Sequence, residues 1–275
     1  MSERADSPIR VVITGVAGRM GSTLARMVHE AKGMSLVGAT EHRGSPSVGG
    51  DAGVAARIGR LGIDVAGDLG AALSSGSPNV VIDFTSAEAS VEHARLCAER
   101  GVALVVGSTG FTAETKAALA RHAQRVPMVV SPNMSIGMNL VIRAAAELAQ
   151  RLGEGFDVEI VEAHHRMKKD APSGTALRMA EEIARATRRG SDDLRMARQG
   201  QVGARPAREI GIQAVRGGDV VGDHTVYFLG DGERVELTHR ASSRDQFARG
   251  ALRAARWIVG RAPGQYDMDD VLGVK

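Results

Sequence analysis

Between Ile9 and about Pro132, short unbroken apolar runs alternate with longer stretches that carry their apolar residues on one helical face. That alternation constrains the fold more than any other feature of the 275-residue chain. The runs are "IRVVITG", "SLVGATE", "NVVIDFTS", "VALVVGST" and "VPMVVSPN". A strand wetted on one side alternates apolar with polar residues, whereas a strand buried on both faces is apolar throughout. Continuous Val and Ile therefore predict a parallel sheet covered by helices on both sides, with right-handed crossovers. The intervening helices are "RMGSTLARMVHEA", with Met20, Leu24, Met27 and Val28 on one face, then "AEASVEHARLCAER" and "AETKAALARHAQ".

The texture changes after Asn133. "SIGMNLVIRAAAELAQRLG" predicts a long helix whose apolar stripe is Ile136, Leu140, Val141, Ala144 and Leu148. "FDVEIVEAHH" alternates as a half-buried strand does, and "SGTALRMAEEIARATRRG" reads as a helix. Residues 208–241 alternate between Gly-Gly-Asp, Gly-Asp and Gly-Asp-Gly punctuation, which predicts antiparallel hairpins. The stretch 190–207 reads as a flexible loop. A last helix, "RDQFARGALRAARWIVG", has Phe247, Leu252, Ala255 and Ile258 on one face and is expected to pack back on the first sheet.

The turn after the first strand, "GVAGRMG", holds Gly15, Gly18 and Gly21 directly before a helix. Glycines there let the backbone approach a pyrophosphate, and the helix N-terminus supplies N–H donors and a positive dipole end. The spacing alone is a weak signal, since glycines also merely shape tight turns. Glu41, at the end of the second strand, strengthens it, because a carboxylate there can accept both ribose hydroxyls of an adenosine. Asp83-Phe84-Thr85 and Gly107-Ser108-Thr109-Gly110 close two further strands at the same edge. Ligands of open α/β sheets bind at that carboxyl edge. The expected class is α/β. A Rossmann-like parallel-sheet dinucleotide-binding domain takes 1–132 and 244–275; an α+β domain with a mixed or antiparallel sheet takes 133–243.

The most unusual stretch is "HHRMKKDAPSGT", residues 164–175. Two histidines and two lysines precede an Asp-Ala-Pro turn and a predicted helix start. Either it is a solvated basic loop, or it holds an anion and hands it a proton. Composition favours the second. Net charge is only +3 and aromatic residues are 3%, which leaves neither the basic stripe nor the stacking rings of a nucleic-acid platform. The single cysteine, Cys97, permits no internal disulfide and no cysteine-rich metal site; it reads as a small buried residue of a helix. No metal is expected. No apolar run approaches the length of a membrane span, and "MSERADSP" lacks a signal-peptide core, so a cytoplasmic location is expected.

Taken in order, "GVAGRMG", "DFTS", "GSTGF", "SPNMSIGMN" and "EAHHRMKKDAPSGTA" closely resemble bacterial 4-hydroxy-tetrahydrodipicolinate reductases (dihydrodipicolinate reductases) of lysine and diaminopimelate biosynthesis. The resemblance runs from about Ile9 to the final "YDMDDVLG". It implies NADH- or NADPH-dependent reduction of a cyclic unsaturated dicarboxylate by a homotetramer, with 133–243 as the substrate-binding and tetramerisation domain. It implies His164 as proton donor and acceptor and Lys168 as second catalytic cation, with His165, Ser173, Gly174 and Thr175 as substrate contacts. Lys169 reads as an exposed companion. The implied cofactor contacts are Gly15, Val16, Ala17, Gly18, Arg19, Met20, Glu41, His42, Gly107, Ser108, Thr109, Ser131, Pro132, Asn133 and Met134.

One departure matters. The family often has Glu followed directly by Arg at the adenosine ribose, and here the sequence is Glu41-His42-Arg43. NADH is therefore expected to serve at least as well as NADPH. Two other readings are another two-domain NAD(P)-dependent dehydrogenase acting on a small carboxylate, and a non-catalytic nucleotide sensor. The 164–175 stretch argues against both, since it offers two anion sites and a proton source.

Overall fold

A computed structural model of the chain describes residues 7–274. In its first part strands and helices alternate as β1 (Ile9–Thr14), α1 (Arg19–Glu30), β2 (Met34–Thr40), α2 (Ala52–Ala55), β3 (Val65–Ala66), α3 (Leu69–Gly76), β4 (Val80–Asp83), α4 (Ala87–Arg100), β5 (Ala103–Val106), α5 (Ala113–Ala123) and β6 (Pro127–Val130). The chain continues with α6 (Ile136–Leu152), β7 (Asp157–His164), α7 (Gly174–Ala186), β8 (Leu194–Met196), β9 (Ile210–Arg216), β10 (Gly222–Gly230) and β11 (Glu233–Ala241). It closes with α8 (Asp245–Ile258), β12 (Gly264–Tyr266) and α9 (Met268–Leu272). Two compact units result: Gly137–Arg244 is one, and the chain up to Ile136 together with Asp245–Gly273 is the other.

In the first unit the sheet order is β12-β6-β5-β4-β1-β2-β3, parallel at every pairing. All four residues of β4 and of β5 are buried, as their apolar runs predict, and the charged Asp83 at the end of β4 is buried with them. Side caps set the helix starts: Ser86 Oγ accepts from Ala89 N–H, and Gly101 ends α4 with φ 67°. Such a cap is worth about 1 kcal/mol. One face of the sheet is covered by α1 and α8, whose Leu24, Val28, Ala251 and Ala255 share a core with Val11, Ile13 and Ile82. The other face packs Leu69, Cys97, Leu104 and Leu119. The last helix thus returns to the first sheet, and Cys97 is fully buried. Strand order reverses direction between β1 and β4, so the turns after Thr14 and after Asp83 flank the switch point. That is where open α/β sheets leave a crevice.

The second unit has one sheet, in order β11-β10-β7-β9-β8, with α6 and α7 contributing to its core. That core is built on Met138, Ile142, Ile160, Met179, Ile183 and Phe228. Three expectations need correction here. Residues 208–241 do not form successive hairpins: β10 and β11 do, but β9 runs parallel to β7 and β7 lies between β9 and β10. The sheet is mixed because Gly217-Gly218-Asp219 carries the chain across β7 instead of turning it back. In α6 the buried stripe is Met138, Ile142, Ala145 and Ala149, while Leu140 is exposed. That helix is apolar on more than one face, and the alanines allow the closer approach. Finally, 190–207 is not simply a loop, since it contributes β8 and is tied down by Arg198 to Glu159 and Arg205 to Asp157 at 2.6 Å.

Candidate active site

β7 brings the first candidate groups together. Alternate side chains of a strand share a face, and along β7 Val158, Ile160, Glu162 and His164 are the buried set. The strand ends at His164, so His165 starts the loop and its N–H donates to Val220 O at 2.7 Å. Lys168 N–H donates to His165 O, and the Lys168 ammonium lies 2.9 Å from both oxygens of Asp170. Lys169 is exposed.

Glu162 is the centre of the arrangement. Its side chain has no exposed surface, and three N–H donors and the His164 ring converge on it. Oε1 accepts from Ser173 N–H at 3.0 Å and Arg216 Nη2 at 2.8 Å. Oε2 lies 2.6 Å from His164 Nδ1 and accepts from Arg216 Nη1 at 2.7 Å. Burial alone would raise this carboxyl's pKa; the bonds from His164, Arg216 and Ser173 outweigh it and bring it down to about 2. Arg216 also donates to Asp170 O at 2.6 Å. One guanidinium thereby joins the histidine's partner to the loop that carries Lys168.

Ser173 caps α7: its Oγ accepts from Ala176 N–H at 3.2 Å and is hydrogen-bonded to His224 Nε2 at 3.0 Å. With 2% exposure its side chain is turned inward, so what this serine offers outward is the helix end it sets. Gly174 and Thr175 begin that helix, and a side chain built at Gly174 would meet no atom within 4 Å. The His224 ring stands edge-on to His164 at 5.2 Å. Burial first, and then the charge of His164, brings the His224 pKa down to about 4, so it is neutral at pH 7. Glu162, Arg216 and His224 were missed by sequence reasoning. Only Glu162 left a readable signal, two residues before His164 on an alternating strand.

The first unit has its own cleft, of about 510 Å³, at the switch point. Gly15, Glu41 and His42 line it, joined by Arg43, Asp68, Thr85 and His93. Gly15 takes φ +64°, and Ala17 N–H donates to Glu41 Oε1 at 2.9 Å, which ties the end of β2 to the glycine turn. Ala17, Gly18 and Arg19 are exposed on that turn, Met20 is partly buried, and Val16 is buried in the core. Beneath the cleft, fully buried Asp83 accepts from Thr14 and Thr85 hydroxyls and lies 3.0 Å from His93 Nδ1. Burial would raise its pKa, and the His93 contact leads the bonds that leave it lowered. Gly107-Ser108-Thr109 follows β5; Ser108 is buried against Ser90 Oγ, and Thr109 is exposed. After β6, Ser131 Oγ donates to Asn133 O, Pro132 is exposed, and Met134 is buried.

A parallel sheet with a glycine turn and the Glu41 carboxylate at a crevice of this size fits a dinucleotide. Among the described residues no cluster of three or more metal-ligating side chains occurs, and no helix is long and apolar enough to cross a membrane.

Comparison with known proteins agrees along the whole described chain. The family model described as dihydrodipicolinate reductase, N-terminus, matches residues 9–134, and its C-terminal counterpart matches 137–272. A 4-hydroxy-tetrahydrodipicolinate reductase of Myxococcus xanthus is 66% identical over 265 residues, covering 96% of this chain and 98% of the relative. One from Anaeromyxobacter dehalogenans is 56% identical, covering 97% and 98%. Among solved structures, dipicolinate-bound dihydrodipicolinate reductase from Paenisporosarcina sp. TG-14 matches with TM-score 0.76 and 28% identity, covering 94% of this chain and 97% of that one. Amine dehydrogenase from Mycobacterium smegmatis, at 17% identity and TM-score 0.60, shares the fold. The chain belongs to the dihydrodipicolinate reductase family of NAD(P)H-dependent oxidoreductases.

Proposed function

We propose that the chain reduces 4-hydroxy-tetrahydrodipicolinate to tetrahydrodipicolinate in lysine and diaminopimelate biosynthesis, with His164 and Lys168 supplying the proton and the charge stabilisation. The observation that carries this is the convergence of His164, the Lys168 loop and the N-terminus of α7 on one end of β7. A dicarboxylate needs cations and N–H donors, and the amides of Gly174 and Thr175 with the helix dipole suit one carboxylate. Lys168, held by an exposed Asp170, suits the other, since a substrate carboxylate can take over that ion pair. The related structure that holds dipicolinate supports a dicarboxylate ligand. The nicotinamide, when bound, supplies a hydride; His164 supplies the proton that completes the two-electron reduction.

In this reading the unit built on β1–β6 and β12 is the dinucleotide-binding domain. The turn from Gly15 to Met20 receives the pyrophosphate, and Glu41 receives the adenosine ribose. Gly107 to Thr109 and Ser131 to Met134 contact the nicotinamide half. Gly137–Arg244 is the substrate domain, with His165, Ser173, Gly174 and Thr175 as substrate contacts. It is also the tetramerisation domain of a cytoplasmic homotetramer, in which the outer face of its sheet, exposed at Val215 and Leu229, meets other copies.

Cofactor choice follows from the cleft rim. A 2′-phosphate would meet the Glu41 carboxylate, and Arg43 is already paired with Asp68 at 3.2 Å. NADH should therefore give a specificity constant at least equal to that of NADPH. Initial rates with each cofactor at saturating substrate check this. A preference for NADPH of tenfold or more, about 1.4 kcal/mol, would refute it.

A further inference from the structure

Reduction as described uses His164, yet the most heavily bonded side chain at the site is Glu162, which touches neither solvent nor the open side of the loop. We propose that Glu162, clamped by Arg216 and the Ser173 amide, is a positioning residue that holds His164 as the Nδ1–H tautomer, leaving Nε2 as the atom that exchanges the proton. The proposal rests on the reading of His164 as proton source.

A carboxylate only accepts hydrogen bonds. Four groups contact the two oxygens of Glu162, and three of them, the Ser173 amide and the two Arg216 nitrogens, can only donate. The Arg216 guanidinium on both oxygens holds Glu162 as a carboxylate, so the fourth contact, 2.6 Å from His164 Nδ1, places a proton on that nitrogen. A protonated Glu162 could give its hydrogen to Nδ1 and keep its other contacts, but it would leave the Arg216 guanidinium without its counter-charge. The opposite nitrogen is treated differently. Gly222 lies beside Nε2, and a Cβ there would stand 3.0 Å from it. Glycine at 222 keeps the exchanging atom uncrowded.

The groups around His164 are accounted for on every neighbouring element. β7 presents Glu162, β9 presents Arg216, β10 presents His224, and the following loop carries His165, Lys168 and Asp170. Glu162 and Arg216 cancel each other in charge, and His224 is neutral near pH 7. Arg216 reaches both Glu162 and Asp170 O, so the clamp that orients the proton donor also fixes the turn bearing the catalytic cation.

The test joins a spectroscopic readout to kinetics. Long-range 15N–1H correlation spectra of the native protein, with His164 assigned through His164→Asn, should show neutral His164 protonated on Nδ1. An Nε2–H tautomer overturns the proposal. Glu162→Gln keeps the shape and removes the charge; kcat should fall by about a hundredfold. KM for substrate should move less than about threefold, and NADH affinity should stay. The alkaline limb of the kcat profile should shift to lower pH, because an imidazolium loses its counter-charge. Glu162→Asp, which retains a carboxylate, should keep the Nδ1–H signature. Native kcat and an unmoved profile in Glu162→Gln would refute the idea. Should Glu162→Gln not fold, the native tautomer still decides. If the native protein does not reduce the substrate at all, the proposed function fails, while the tautomer measurement judges Glu162 on its own.

Discussion

Replacing His164 or Lys168 is expected to abolish most of the reduction while leaving the dinucleotide bound, and the two variants should fail in different ways. In the proposed mechanism His164 donates a proton in the chemical step, so His164→Ala should lower kcat by about 10² to 10⁴ with KM nearly unchanged. Lys168 is a cation paired with Asp170, whose side chain is 61% exposed, and is thus available to a substrate carboxylate. It contributes to ground-state binding as well as to the transition state. Lys168→Ala should raise KM by about tenfold, roughly the 1.4 kcal/mol of one partly solvated ion pair, and lower kcat besides. Nicotinamide oxidation, with substrate generated in the cuvette from pyruvate and aspartate semialdehyde, measures both. Fluorescence titration with NADH is the control, because both residues lie in the second unit and the glycine turn in the first. Oxidation at native rates in either variant would remove that residue from the mechanism. No oxidation by native protein that still binds NADH would remove the substrate reading.

The second large effect is expected at Gly21. A Cβ at this position would lie 1.9 Å from Gly15 O and 2.8 Å from the Cα of Val16. These are backbone atoms of the turn that connects β1 to α1, so no side-chain rotation relieves the overlap. Gly21→Ala must push α1 away from the turn or distort the turn itself, at a cost of about 3 kcal/mol. Both outcomes distort the turn proposed to receive the pyrophosphate, so NADH affinity should fall with stability. Thermal unfolding should drop by about 5–12 °C. Gly155→Ala is the comparison, since a Cβ there meets nothing within 4 Å and its φ is ordinary. A Gly21→Ala protein as stable as Gly155→Ala, and binding NADH as tightly as the native chain, would show that the close approach of turn and helix is not required.

Much of the fold was legible because its causes are local. A strand buried on both faces carries an unbroken apolar run, and Val11, Val12 and Ile13 of β1, Val80, Val81 and Ile82 of β4 and all of β5 say so in consecutive residues. The glycine turn and Ser173-Gly174-Thr175 were legible for the same reason, since a tight turn and a helix start are determined within a few residues. Short or ambiguous pieces were not. The three-residue β8 and β12 and the two-residue β3 carry too little pattern of their own; pairing with a neighbour already in place makes them strands. In α6 the sequence offered more than one apolar stripe, and burial against the sheet selected Met138, Ile142, Ala145 and Ala149.

By itself, the sequence determined the parallel-sheet unit, the glycine turn after β1 and the helix start at Ser173. Only the tertiary structure decided what surrounds His164. Arg216 lies 54 residues from Glu162 in the chain and reaches it because β9 pairs in parallel with β7, setting His164 opposite Arg216. His224 arrives from the other side, because β10 pairs antiparallel with β7 and sets His224 opposite Glu162. Periodicity reports which face of a strand a residue occupies, but the identity of its neighbours across the sheet depends on strand order and register, which are settled only when the whole sheet assembles.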